Sequence, residues 1–272
     1  METNYTLEEL LAVEISRRIA SDDICGFVGV GTGGKAYIRA VGLPAVATRI
    51  AQLRHAPDFT LCFGSIIDTK LDSEDIPETN FEPDLLAWPS RSQISSFDCL
   101  SIFKCGRMDI GFISAPQIDK YGNTNVVCIG DYKKPSVRFP GSLAQPDHCA
   151  FAKKTYGVFR HDRRTFVEKV DFISGAGHNN RQGLSGGGLT YVFTELGVMD
   201  FDPKNGLMRV KSIHPISSVE EIKDNTGFDI QIPENVPFTM APTEEDLKLI
   251  RERIDPKRKW LNAAITQQPA TL

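Results

Sequence analysis

Long apolar runs are missing from this chain. None approaches the roughly 18 consecutive residues that a membrane-crossing helix needs, so no membrane is expected among its partners. The opening Met1-Glu-Thr-Asn-Tyr5 lacks the basic start and apolar core of a secretory leader. The cysteines, at 25, 62, 99, 105, 128 and 149, form no C-x-x-C pair. That removes the paired ligand spacing of structural zinc. No metal is expected, and the cysteines read as reduced, mostly buried thiols of a cytoplasmic protein. Positive charge is not in excess either: 31 Lys and Arg against 35 Asp and Glu give a net charge of -4. Nucleic acid favours a basic face, so no nucleic-acid partner is expected. Neither an internal repeat nor a linker divides the 272 residues. One domain is expected over 1–260, with a loosely ordered tail at 261–272.

What is present is an ordinary globular composition, 41% hydrophobic and 24% charged. Thr6 with Glu9 makes a capping box ahead of Leu7, Leu10, Leu11 and Ile15, which share one helical face. A buried strand is expected over 24–30, a helix over 44–53 with Pro44 in its first turn, and a long acidic surface loop over 69–93. Next come a helix over 96–105 closed by Gly106, a strand over 108–114, the turn Asp119-Lys-Tyr-Gly-Asn123, and a strand from 126. Beyond lie a helix bearing His148 and Cys149, a strand over 154–159, a Gly-rich mobile stretch over 175–188, and a strand over 190–198. Thr243 caps a last helix whose Leu247, Ile250 and Ile254 share a face. Strands alternating with helices predict an α/β fold with a mainly parallel sheet.

In such sheets ligands bind beyond the carboxyl ends of strands. This draws attention to Ala56-Pro-Asp-Phe-Thr-Leu-Cys-Phe-Gly-Ser-Ile-Ile-Asp68. Residues 59–63 read as a short buried strand, and Gly64 and Ser65 fall where it ends. A glycine there marks a tight turn or a close approach of backbone to something else. A literal G-x-G-x-x-G, Gly29-Val-Gly-Thr-Gly-Gly34, follows the 24–30 strand. Gly42 and Pro44 interrupt the helix that should follow it, and no clear acidic residue stands about 20 positions on. Both argue against a dinucleotide phosphate loop.

Several motifs in series carry a resemblance. They are His55-Ala-Pro-Asp58, Gln117-Ile-Asp-Lys-Tyr-Gly-Asn-Thr-Asn125, Ile129-Gly-Asp-Tyr132, Arg163-Arg with Phe166-Val-Glu-Lys-Val-Asp171, Gly186-Gly-Gly188, Glu195-Leu-Gly-Val198 and Asn225-Thr-Gly-Phe228. In this order and spacing the chain resembles, over nearly its whole length, the β subunit of family I CoA-transferases of the glutaconate CoA-transferase type. The resemblance implies a three-layer, Rossmann-like α/β subunit that pairs with a homologous α subunit as a heterodimer or heterotetramer. It implies an active site at the subunit junction and an acyl-CoA substrate, with coenzyme A as part of the substrate and no permanently bound cofactor. It also implies a β-subunit glutamate that attacks the thioester and carries CoA as a glutamyl thioester, splitting one hard acyl transfer into easier steps.

The resemblance places that glutamate six positions after the Asp of Ala-Pro-Asp, and the count from Asp58 ends on Gly64. Glycine cannot stand in for a carboxylate. A slip of two residues, which keeps strand parity, brings Cys62 to the place as a nucleophile if its pKa is lowered, or as a small core residue. Ser65 offers a hydroxyl with no histidine beside it in sequence. Gln117 matches a family position near the reacting acyl group, where a neutral amide orients a carbonyl or water, or simply satisfies loop backbone. At Gly141-Ser142-Leu143-Ala144 the family has backbone N–H groups that stabilise the oxyanion, and Leu143 and Ala144 keep theirs. Arg163 and Arg164 suit CoA phosphates or a substrate carboxylate, or a structural ion pair with Glu168 or Asp171. His161 reads as a surface or loop histidine. Family branches without the β glutamate include ring-cleaving hydrolases of steroid catabolism. The expectation is therefore an acyl-CoA hydrolase (of a thioester or C–C bond) or a decarboxylase. A transferase using another nucleophile and a non-catalytic acyl-CoA-binding subunit are the alternatives.

Overall fold

The computed structural model describes residues 4–29, 34–72 and 82–261, with backbone alone at 34, 35, 82 and 83. Packing divides the chain into two compact units, Met1–Ile102 with Met240–Leu272, and Phe103–Thr239. The sequence reading expected one domain over 1–260, and no linker or composition shift marks these boundaries.

In chain order the first unit contains α1 (Leu7–Ser16), β1 (Cys25–Val28), α2 (Gly34–Tyr37), α3 (Leu43–Arg54), β2 (Thr60–Phe63), β3 (Ile66–Thr69), α4 (Glu82–Ala87), β4 (Ser90–Gln93) and α5 (Ser96–Lys104). The capping box forms as expected: Glu9 N–H donates to Thr6 Oγ1 at 3.2 Å and Thr6 N–H to Glu9 Oε2 at 2.8 Å. β1 and β2 pair in parallel from Cys25↔Thr60 to Val28↔Phe63. β2 then reverses over Gly64-Ser65 into antiparallel β3, and β3 pairs antiparallel with β4. The loop expected over 69–93 thus contains α4 and β4. β4 is the polar Ser-Arg-Ser-Gln, largely exposed, so it lacks the alternation that betrays a strand. Residues 73–81 of that loop, 30–33 of the Gly-x-Gly motif and 262–272 of the expected tail lie outside the described residues.

α2 passes through a five-residue π turn, Ile38–Gly42, into α3. The turn needs glycine at 42, because a Cβ there would meet the Trp260 carbonyl oxygen at 2.1 Å. Trp260 is the hub of an aromatic cluster with Tyr37, Phe63 and Trp88, at centroid distances of 6.4, 5.9 and 6.0 Å. Its indole N–H donates to Leu71 O at 3.0 Å, which satisfies the one polar atom this burial brings inside.

The second unit contains β5 (Ile110–Ile113), β6 (Gln117–Ile118), β7 (Thr124–Asn125), β8 (Cys128–Ile129), β9 (Val137–Arg138), α6 (Gln145–Phe151), β10 (Lys154–Val158), β11 (Leu189–Phe193), β12 (Gly197–Phe201), β13 (Met208–Ile213) and α7 (Val219–Asn225). The chain then returns to the first unit with α8 (Glu244–Lys248), capped by Thr243 and Asp246. The main strands of the second unit lie in the order β13-β12-β11-β10-β5. β5, β10 and β11 are parallel, and β11 to β13 are antiparallel. The expected α/β class holds, with its parallel strands extended by antiparallel ones. The single strand expected over 190–198 is two strands, because Thr194 Oγ1 accepts from Leu196 and Gly197 N–H at 3.2 Å each and closes a turn. The Gly-rich stretch read as mobile is tightly packed at its end. A Cβ on Gly187 would lie 2.0 Å from Lys153 O, so glycine here lets two backbones touch.

Three buried histidines tie this unit together. His161 Nδ1 meets Thr194 Oγ1 at 2.9 Å and its Nε2 meets Thr226 Oγ1 at 3.0 Å, while its ring stacks on Phe166 at 4.1 Å. His214 contacts Thr239 Oγ1 and Thr194 O, both at 2.9 Å. His148 packs against the Phe103 ring at 4.8 Å. Burial lowers the pKa of His161 and His214 to about 4 and that of His148 to about 3. Above pH 6.5 the folded and unfolded chains carry these rings neutral alike. As pH falls below 6.5 the unfolded chain takes up the protons, and stability is lost toward the folded values. For His161 and His214 this amounts to about 3 kcal/mol each by pH 4. Urea unfolding midpoints should therefore drop steeply between pH 6.5 and 4. The drop should be shallower in His161→Gln/His214→Gln; an equal slope in that variant contradicts the assignment.

Candidate active site

Gly64 sits at the carboxyl end of β2, in the two-residue turn to β3, with φ of +53°. That left-handed conformation is easy for glycine and costs a residue with a Cβ about 1–2 kcal/mol. The Gly64 carbonyl accepts from the Cys99 thiol of α5 at 3.0 Å. Ser65 is half-buried, and its carbonyl accepts from Ile94 N–H at 2.9 Å. Cys62 has no exposed surface, and its sulfur lies 3.7 Å from that of Cys25. The hydrogen bond with Cys25, then burial, drives the Cys62 thiol far above its usual range. Burial first, then the neighbouring Cys25, pushes Cys99 up to about 12. These thiols are held neutral, the opposite of the depressed pKa that activates a cysteine nucleophile.

In the second unit Gln117 is not a free loop amide. It lies in β6, 5% exposed, paired with Asn125 of β7. Its Oε1 accepts from Asn125 Nδ2 at 2.7 Å and Asp171 N–H at 3.2 Å, and its Nε2 donates to Asp171 Oδ2 at 2.7 Å. An amide has two N–H groups, and among the described residues only one of them has an acceptor. Asn125 in turn holds the next segment, with Oδ1 accepting from Val127 N–H at 2.9 Å and Nδ2 donating to Cys128 O at 2.6 Å. The 141–144 loop hangs from the same segment: Gly141 N–H donates to Val126 O at 3.2 Å. Ser174 Oγ donates to Gln145 Oε1 at 2.8 Å and accepts from Val126 N–H at 3.1 Å. Gly141 has φ of +111° and Leu143 of +23°, and Leu143 is 84% exposed. The Leu143 and Ala144 N–H groups have no hydrogen-bond acceptor among the described residues. Gln117, Asn125, Asp171, Ser174 and Gln145 thus form one polar framework under the loop that carries Gly141, Ser142 and Leu143. Asn125, Ser174 and Gln145 were not singled out from sequence. Asn125 stood inside a family motif, Ser174 and Gln145 in none, and contacts such as Gln117 with Asp171, 54 residues apart, leave no local spacing.

Arg163 is exposed and donates to the Asp224 carbonyl at 3.3 Å. The ion pairs considered for it are taken differently: Glu168 pairs with Lys120, and Asp171 binds Gln117. His161, read as a surface or loop histidine, is buried in the hydroxyl network already described. The charged Asp-Arg-Arg after it misleads, because only the imidazole turns inward. Among the described residues no group of three or more His, Cys, Asp or Glu is placed to hold a metal. No helix among them is long and apolar enough to cross a membrane.

Residues 77–225 match the Coenzyme A transferase family pattern. The chain is 32% identical over 273 residues to the β subunit of glutaconate CoA-transferase from Acidaminococcus fermentans, covering 95% of this chain and 96% of that protein. It is 30% identical over 262 residues to the β subunit of 3-oxoadipate CoA-transferase from Pseudomonas knackmussii, covering 91% and 92%. Against the cholesterol ring-cleaving hydrolase IpdB subunit of Rhodococcus jostii, identity is 27% over 248 residues, covering 90% and 94%. The fold superposes on the crystal structure of the Acidaminococcus fermentans glutaconate coenzyme A-transferase with a TM-score of 0.78 at 29% identity, covering 99% of this chain and 100% of that one. The decarboxylase AibA/AibB shares the fold, with a TM-score of 0.77 at 24% identity and coverage of 93% and 95%.

The Gln117 framework makes a stability prediction. Truncating Gln117 leaves the buried Asn125 amide without one partner, and such a loss costs about 1–3 kcal/mol. Gln117→Ala should therefore lower the urea midpoint measurably. An unchanged midpoint would show that the amide carries no structural load, against the geometry.

Proposed function

Because the chain belongs to the coenzyme A transferase family, we propose that it is the β-type subunit of a heteromeric enzyme acting on an acyl-CoA. The reaction is hydrolysis of a thioester or C–C bond, or decarboxylation, without a covalent CoA intermediate on this chain. The observation that carries this reading is Gly64. It stands where the family resemblance places the glutamate nucleophile, in a turn at a strand's carboxyl end, and it supplies no carboxylate. The partner is a homologous α subunit, in line with the subunit names of the relatives. Coenzyme A enters as part of the substrate, and the six free thiols suit a reducing compartment such as the cytoplasm.

The relatives of higher identity are named as transferases and the hydrolase follows below them. Identity summed over the chain measures the scaffold. The choice between transfer and hydrolysis turns on one carboxylate. Without it, a water activated by an acid–base group on the partner takes the nucleophile's part, and such assistance contributes typically 10²–10⁴-fold in rate. The N–H groups of Leu143 and Ala144, on the loop braced by the Gln117 framework, suit a developing oxyanion. Transfer through Cys62 is disfavoured by its complete burial and raised thiol pKa.

Two measurements test this reading. Size-exclusion with light scattering should show this chain in a stable complex with its α subunit, and a fully active homomer would contradict that. Borohydride or hydroxylamine trapping under turnover, followed by intact mass, should leave this chain unmodified. An adduct lost in Cys62→Ala together with activity would install the cysteine instead. Gly64→Glu should abolish the native reaction by filling the water's place. Its left-handed backbone should cost about 1–2 kcal/mol of stability.

A further inference from the structure

The β8–β9 hairpin carries a feature that the proposed chemistry does not use. Its tip is Asp131-Tyr-Lys-Lys-Pro135, folded back by Asp131 Oδ1, which accepts from Lys133 and Lys134 N–H at 2.8 and 3.2 Å. Tyr132 packs against two neighbours. Phe172 stacks on one side, at 5.4 Å between centroids and 26° between planes, and the Arg138 guanidinium carbon lies over the ring at 4.9 Å. Arg138 Nη2 also donates to Tyr132 O at 2.8 Å, so the guanidinium is held in place from two directions. Even so, Tyr132 is 56% exposed, and Lys133, Lys134 and Arg138 are all exposed. Three cations and one carboxylate thus gather on a short hairpin of a chain whose net charge is -4.

The geometry points to this stack as the seat of an adenosine phosphate, namely the nucleotide end of coenzyme A. This inference rests on the acyl-CoA reading above. A guanidinium with one face on a ring presents its other face to a purine, which stacks on such planes. Lys133 and Lys134, which follow Tyr132 in the turn, are exposed, and lysine ammonium groups are point charges suited to phosphate. The position fits the rest of the site. Arg138 is paired with Cys128, Phe139 N–H donates to Val127 O at 3.0 Å, and the chain runs on through Gly141 to Leu143. Five residues separate Arg138 from Leu143, so their backbones lie within about 18 Å of each other. A ligand that holds its nucleotide at the hairpin and its thioester at the 141–144 loop would follow one continuous stretch of chain. Arg163 serves this role less well, because its guanidinium is drawn to the Asp224 carbonyl.

Calorimetric titration of the complex with its α subunit tests the assignment, with coenzyme A, adenosine 3′,5′-bisphosphate and pantetheine as probes. Arg138→Ala should weaken coenzyme A and the bisphosphate about tenfold and leave pantetheine unchanged. Arg138→Lys, which keeps the charge and loses the plane, should fall between. Lys133→Ala/Lys134→Ala should make coenzyme A binding less sensitive to salt. Affinities unaffected by Arg138→Ala would overturn the inference. So would a variant complex that falls apart on size exclusion, since the hairpin would then be a subunit contact. If wild-type complex binds coenzyme A with an affinity the variants leave unchanged, the acyl-CoA reading stands and this site alone fails. If wild-type complex binds neither coenzyme A nor pantetheine, both fail.

Discussion

The hydrogen bond from the Cys99 thiol to the Gly64 carbonyl holds the turn on which the proposed reading rests. Parallel pairing of β1 with β2 carries the backbone to Phe63, and the chain must then reverse within two residues to pair Phe63 with Ile66. A reversal that short requires a left-handed residue, and glycine takes it without strain. The buried thiols of Cys62 and Cys99 at this strand end are held neutral, and the Cys25 sulfur lies 3.7 Å from that of Cys62. Gly64 has no side chain to react, and the Cys62 thiol is buried and held neutral. On the proposed reading, a family scaffold is kept while Gly64 supplies no carboxylate for covalent catalysis.

The second unit contains a polar framework of its own. Its amide and hydroxyl framework, Gln117 with Asn125, Asp171, Ser174 and Gln145, fixes a loop whose N–H groups at Leu143 and Ala144 have no partner among the described residues. Buried amides are stable only when satisfied, and each member here satisfies another. The framework's function is to position backbone. This gives Gln117 a double character, a structural amide with one N–H that has no acceptor among the described residues, where the sequence allowed only a choice between the two.

What could be read from the sequence was what physics keeps local. The capping boxes at Thr6 and Thr243 involve residues three apart, and both form. The strand ending at Gly64 announced itself because Leu61, Cys62 and Phe63 are buried on both faces, as a parallel strand requires. β4 escaped notice because its exposed side chains carry no hydrophobic pattern. The turn at Thr194 escaped because apolar residues stand on both sides of Thr194-Glu195 and a single hydroxyl closes the turn. His161 was misjudged because adjacent charges suggested solvent, whereas Thr194 and Thr226 meet the ring from distant parts of the chain. The cysteine cluster could not be seen either, since Cys25, Cys62 and Cys99 meet only through strand pairing and the packing of α5.

The central claim is that no group on this chain carries coenzyme A during turnover. Its most direct test is the reconstituted complex, supplied with its acyl-CoA substrate in ¹⁸O-labelled water, with and without an added acceptor carboxylate. The expected result is a rate of substrate loss independent of the acceptor and no CoA thioester of the acceptor. Formation of that thioester at the rate of substrate loss would contradict it.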